Sequence, residues 1–246
     1  VFGSYDRGEK AHREFKTFAL LQQHGIPCPP PLYLDPQGAV LGIPGIVTGY
    51  VPGTQIPSPS DPVGWARALA VMLARIHAVP CDAATQSFLL DADAEATWFL
   101  RAGAVPDYMA AHPDGAAVWQ QVHDLSPNRQ PVEPALVHID YWPGNVLWHQ
   151  GQIVAIVDWE EAAYGDPAID VAYCRMELCL SGMGPVADEF LATCEASVGQ
   201  PVANLGFWEL AAAARPMFHA EGRITKSPTR EEFRSFIATA SRKAGE

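Results

Sequence analysis

The chain has 246 residues, 48% of them hydrophobic and 18% charged, enough apolar mass to bury a core and too much for a disordered segment. Its net charge of −12 argues against a nucleic-acid partner, because phosphate contacts need clustered Lys and Arg. No apolar run approaches the roughly 18 residues that cross a bilayer, and the opening VFGSYDRGEKAHREF lacks the charged-then-apolar layout of a signal peptide. A cytoplasmic location with no membrane partner is therefore expected. The cysteines Cys28, Cys81, Cys174, Cys179 and Cys194 are odd in number and contain no C-x-x-C, which points to reduced thiols instead of disulfides or a zinc site.

Val1-Phe2 reads as the end of a strand already under way, and the chain does not begin with Met, so further residues are expected upstream. The spacing of Phe15, Phe18, Ala19 and Leu21 predicts a helix over His12 to Gln23, closed by Gly25. The following stretch, up to about Gly53, alternates apolar runs with turn signals and predicts two or three strands, with a hairpin loop at Asp35 to Gly38. Trp65, Leu69, Met72, Leu73 and Ile76 mark one face of a long helix started by Ser60 or Asp61, with Pro62 in its first turn. From there to about Gln121 the pattern is mainly helical. ALVHID, NVLWH and QIVAIVDW, within 135–159, are expected to be the only strands of a helical second half. Asp166-Pro167 predicts the start of a helix running to about Leu180. Further helices are expected near 185–198, 206–220, kinked at Pro216, and 229–243.

The chemistry concentrates where the strands are predicted. His138, Asp140 and Asn145 fall in one short loop, and Asp158 ends the apolar strand IVAIV. A carboxylate at the end of a buried strand is costly unless a cation meets it. From Glu133 to Glu195 there are eleven acidic residues and one basic residue, Arg175, a balance suited either to a metal or amine-bearing substrate or to a solvated face. Transfer of a γ-phosphoryl group needs Mg²⁺ held by a carboxylate and a neutral oxygen, and a second carboxylate that orients the incoming hydroxyl. Asp158, Asn145 and Asp140 are of the right types for those three tasks.

The segment VHIDYWPGNVLW, continued by GQIVAIVDWEEAAYGDPAIDVAY, resembles the aminoglycoside phosphotransferase and choline kinase family of protein-kinase-like small-molecule kinases. HREF, GIVTGYVPG and LARIHAVP extend the resemblance over nearly the whole chain. It implies an α+β, two-lobe protein-kinase-like fold. Residues 1–52 would be the remnant of a β-rich N-terminal lobe whose first strands are missing, and residues 53–246 a helical C-terminal lobe with a small β-hairpin catalytic region. It also implies ATP and Mg²⁺ as cofactors and a small-molecule hydroxyl as acceptor, a cationic one being a candidate.

By the same resemblance, Asp140 is the catalytic carboxylate, Asn145 and Asp158 are the metal ligands, and His138 and Asp170 support the loop. Glu14, the Gly49 carbonyl, the Val51 amide, Leu147 and Val157, with Ile156 as an alternative, would form the nucleotide site. Trp159 would pack, and Asp166 would cap a helix. Glu160 and Glu161 could meet the substrate. The family's phosphate-covering loop, and the basic residue that pairs with Glu14, fall outside these residues and are expected upstream of Val1. Three other readings compete: a kinase of a metabolite such as choline, homoserine or a sugar derivative, a nucleotide-binding protein of this fold without transfer activity, and a hydrolase using Asp140 and Asp158 to activate water.

Overall fold

The computed structural model describes residues 7–218 and 224–245. The strand expected to end at Val1-Phe2 lies outside the described residues. Helix α1, Arg7–Gln23, starts earlier than its apolar spacing predicts; Phe18 and Leu21 are buried, and Gly25 leaves the helix with φ of 67°. Strands β1, Pro31–Asp35, and β2, Gly45–Thr48, form an antiparallel hairpin. Its loop is longer than the four residues expected, because the buried Asp35 carboxylate gathers the amides of Ala39, Val40 and Leu41 at 2.9, 2.7 and 2.8 Å. Helix α2, Pro62–His77, begins where Asp61 accepts a hydrogen bond from the Gly64 amide and buries the face expected of it, from Trp65 to Ile76.

The region read as mainly helical is more broken than its composition suggests. It holds α3, Ala83–Gln86, the two-residue strand β3, Leu90–Asp91, α4, Ala92–Ala96, α5, Asp107–Ala110, and α6, Gly115–Leu125. Asp82 and Asp91 each accept a backbone amide three residues ahead and so restart the helix, while Pro106 opens α5. Strands β4, Ala135–Val137, β5, Val146–His149, and β6, Gln152–Ile156, follow as expected, with β5 and β6 antiparallel. They are not the last strands: β7, Ala163–Gly165, pairs antiparallel with β4 and parallel with β3. A three-residue strand carries too little periodicity to be read, and only its pairing defines it.

Helices α7, Ala168–Leu180, α8, Gly184–Val198, α9, Leu205–Ala212, α10, Ala214–Phe218, and α11, Thr229–Ala244, complete the described chain. The single kinked helix expected near 206–220 is two helices, because Pro216 has no N–H to offer the Ala212 carbonyl; residues 219 and 220 lie outside the described residues. One buried cluster joins Phe18, Leu21 and Ile26 to α2, α7 and α9, with Trp159 and Trp208 among its largest side chains. Among the described residues no helix is long and apolar enough to cross a membrane.

Candidate active site

The chain leaves β4 through a turn in which Ile139 adopts φ of 72°, a backbone region unfavourable for a branched residue. Asp170, on the first turn of α7 and fully buried, holds that turn. Its Oδ1 accepts from the Ile139 amide at 2.8 Å, and its Oδ2 accepts from the His138 amide at 2.9 Å and from His77 Nε2 at 3.1 Å. His138 is buried against Trp159, with ring centroids 4.4 Å apart. Its Nε2 donates to the Val157 carbonyl at 2.9 Å, and its Nδ1 accepts from the Asp140 amide at 3.3 Å. The histidine therefore ties the loop to the end of β6.

Two devices hold Asp140, Asn145 and Asp158 near one another. Asn145 ends a 3₁₀ turn, and its Nδ2 donates to the carbonyl of Asp140 at 2.9 Å and to Asp140 Oδ2 at 2.8 Å. The Val157 amide donates to the Asn145 carbonyl at 3.0 Å, which sets Asp158 beside it with φ of 66°. Asp158 is exposed, yet partial desolvation beside its neighbours, with the Glu160 and Asp140 carboxylates, raises its carboxyl above the usual range.

Helix α1 supplies the next layer. Glu14 accepts from the Trp159 amide, and burial with the facing Asp158 pushes its carboxyl up to about 7. Lys10 Nζ meets Glu160 Oε1 at 2.6 Å, and Arg13 donates to the Glu160 carbonyl. Lys10 and Arg13 were not among the candidates from sequence, because an exposed-looking helix turn gives no sign of which acid it will meet. Gly49 and Val51 lie in the extended segment after β2, where the Gly49 amide donates to the Pro30 carbonyl at 2.8 Å. Two residues on, a Cβ on Gly53 would lie 3.0 Å from Leu147 Cβ and 2.7 Å from Val154 Cγ2, so this segment runs directly over β5 and β6, which carry Leu147 and lead to Val157.

On the opposite flank stands a residue the sequence reading missed. Arg215 of α10 donates from Nη1 to Asp140 Oδ1 at 2.9 Å and from Nη2 to Glu161 Oε2 at 3.0 Å, and its guanidinium lies 4.6 Å from the centre of the Tyr173 ring. The only signal was a lone cation in the apolar run AAAARPMF. Asp166 caps the start of α7, although the position just before the helix is Pro167. Its Oδ1 accepts from the Ala168 amide at 2.9 Å, and its Oδ2 accepts from Trp208 Nε1 at 2.7 Å and Asn204 Nδ2 at 2.9 Å.

The donor chemistry fits a divalent cation held jointly with phosphate. Among the described residues no three His, Cys, Asp or Glu side chains form a metal cluster. One carboxylate, Asp158, and one amide, Asn145, are what Mg²⁺ uses when phosphate oxygens and waters complete its shell. The Asn145 nitrogen is engaged by Asp140, which leaves its amide oxygen as the group free to coordinate.

Comparison with known proteins places the chain in a family and a fold. Acyl-CoA dehydrogenase family member 10 of Mus musculus is 28% identical over 194 residues, covering 72% of this chain and 18% of its own length. The chain thus spans less than a fifth of that relative. Macrolide 2'-phosphotransferase from Brachybacterium faecium superposes with a TM-score of 0.63 at 21% identity, over 94% of this chain and 80% of that one. Choline kinase from Streptococcus pneumoniae does so with a TM-score of 0.63 at 18% identity, over 98% and 83%. These two share the α+β, protein-kinase-like fold. The model of the phosphotransferase enzyme family known as APH matches residues 4–200, and the chain belongs to that family.

Proposed function

We propose that this chain transfers the γ-phosphoryl group of ATP to a hydroxyl of a small molecule, with Mg²⁺ at Asn145 and Asp158. The observation that carries the reading is the engagement of Asp140: Asn145 holds one carboxylate oxygen at 2.8 Å, in a loop that Asp170 and His138 keep from turning. A fixed carboxylate there orients an acceptor hydroxyl and receives its proton as the new O–P bond forms and the bond from the γ-phosphorus to the bridging oxygen breaks, releasing ADP. Bound Mg²⁺ supplies charge neutralisation at the phosphates. The chain's own residues do the rest: the segment from Gly49 to Val51 offers backbone groups to adenine, Leu147 and Val157 offer apolar surface to its ring, and Glu14 closes the site behind Asp158.

The test has two stages. Calorimetric titration with ATP, with and without Mg²⁺, is expected to show metal-dependent binding that Asp158→Ala removes. Incubation with Mg-ATP and a mixed library of hydroxyl compounds is then expected to yield a product heavier by one phosphate, detected by mass spectrometry and absent with Asp140→Asn. Metal-dependent ATP binding without any phosphorylated product, from a library that covers neutral, acidic and basic acceptors, would favour a nucleotide-binding role instead.

A further inference from the structure

Asp140 presents one oxygen to Asn145 and the other toward α10, where an acceptor hydroxyl approaches. Among the described residues, three features on that side could hold a positively charged acceptor: Asp140 Oδ1, the Glu161 carboxylate, and the face of Tyr173. Arg215 takes all three, at 2.9 Å, 3.0 Å and 4.6 Å. The cluster is not sealed off, for the side chains of Arg215, Asp140 and Glu161 are 21%, 26% and 27% exposed, so the guanidinium occupies a surface that solutes reach. Along α10 the described rings Trp98, Tyr108 and Phe218 are engaged with one another, with centroids 5.1 to 5.6 Å apart, and thus cover one another's faces. On the α1 side, Glu160 is paired with Lys10.

We propose that Arg215 is a specificity-determining residue, and that the acceptor of this enzyme is a hydroxyl compound with no positive charge close to its reacting group. An ammonium at that place would have to displace an arginine already paired with two carboxylates and stacked on a ring. A bidentate guanidinium gives up such partners reluctantly. A neutral or anionic acceptor needs no displacement and finds a cation beside the catalytic carboxylate. The acidic composition of this region, which in sequence alone suits an amine-bearing substrate, is here answered from within the chain. The inference rests on the reading of Asp140 as the acceptor-side carboxylate.

Choline and 3,3-dimethylbutan-1-ol make the deciding pair of probes, since they have the same shape and hydroxyl and differ by the positive charge. Binding is measured by saturation-transfer NMR at low ionic strength on the full chain, on Arg215→Met, Arg215→Gln and Arg215→Lys, with thermal melts confirming that each folds. Choline is expected to bind Arg215→Met and Arg215→Gln at least tenfold more tightly than the native chain, whereas the neutral alcohol changes less than threefold and Arg215→Lys keeps the native preference. Adding Asp140→Asn to Arg215→Met is expected to abolish the gain. Native chain that binds choline as tightly as Arg215→Met, or a folded Arg215→Met or Arg215→Gln that gains nothing, overturns the inference. Should neither variant fold, tighter binding of choline than of its neutral isostere by the native chain overturns it, and the reverse order upholds it. The two readings fail separately: phosphate transfer that survives Asp140→Asn sinks the proposed function whatever choline does, and loss of transfer without a choline gain sinks only the role of Arg215.

Discussion

On the α1 flank of the site, Glu14 and Asp158 face one another while Lys10 and Arg13 are engaged by Glu160, so two carboxylates are left with their pKa values raised. On the α10 flank, one guanidinium serves both Asp140 and Glu161. Similar acid content therefore has opposite outcomes. Uncompensated negative charge remains where a metal and a basic group are proposed to bind, and is cancelled on the proposed acceptor side. The comparison teaches that the acidic run from Glu133 to Glu195 cannot be read as one surface: what each carboxylate can attract depends on which helix packs against it.

The widest way to break that contrast is to remove the carboxylate shared by both flanks. Asp140→Asn keeps the shape and can still meet Asn145, yet it cannot receive a proton or hold Arg215 by charge. Phosphate transfer to any acceptor found by the library screen is expected to fall by about 10²- to 10⁴-fold, the usual worth of a positioned general base. Unfolding temperature should change little, and a rate within threefold of the native chain would show that Asp140 is not that base.

Next in size is the anchor that makes both flanks possible. Asp170→Ala strands the His138 and Ile139 amides in a fully buried position and leaves Ile139 to hold a positive φ unaided. Lost stability of about 3 kcal/mol in urea unfolding is expected from unsatisfied buried donors. Asp170→Asn, which can still accept one of the bonds, should lose roughly half of that.

How much of this was legible in advance follows from the range of each interaction. His138, Asp140, Asn145 and Asp158 lie close in sequence on a loop and a hairpin, and residue type plus spacing was enough to nominate them. Glu14 and Asp170 were named only through a family resemblance. Their roles became physical when packing set Glu14 against Asp158, and set Asp170 under two successive amides. Arg215 was invisible because its partners are 75 and 54 residues away and its helix is a five-residue fragment with no periodicity. Likewise β7 exists because β3 and β4 bracket it, whereas the start and buried face of α2 and both ends of α8 were readable almost to the residue.

The α1 flank makes its own prediction about pH. The Glu14 carboxyl lies at 4.5 in an unfolded chain and about 7 in the folded one, so between those values the folded state holds more protons and stability falls as pH rises. Below pH 4.5 Glu14 is protonated in both states and adds no slope. Glu14→Gln should therefore flatten the melting temperature across this window and melt higher than the native chain at pH 8, by about 2–4 °C for each kcal/mol relieved. Mg²⁺ must be left out of the buffer, since it would compensate the same charge. Native and variant chains that melt in parallel from pH 4.5 to 8 would show that Glu14 is already compensated.

The smallest effect sharpens the contrast most. Lys10 and Glu160 form a close pair at 2.6 Å, but their side chains are 29% and 42% exposed, so water screens the attraction and ordering two flexible side chains offsets part of it. Lys10→Met should cost no more than about 1 kcal/mol in urea unfolding, and that loss should shrink in 0.5 M salt. Its effect on the site should be larger than its effect on the fold. Removing Lys10 takes away a cation that lowers the Asp158 pKa and frees Glu160 to raise it. Metal-free ATP binding should then weaken, while Mg²⁺ binding holds or strengthens. The corresponding neutral change on the other flank, Glu161→Gln, leaves Asp140 paired with Arg215 and should move neither titration. If the two variants behave alike, the division between a flank that awaits cations and one that supplies its own is wrong.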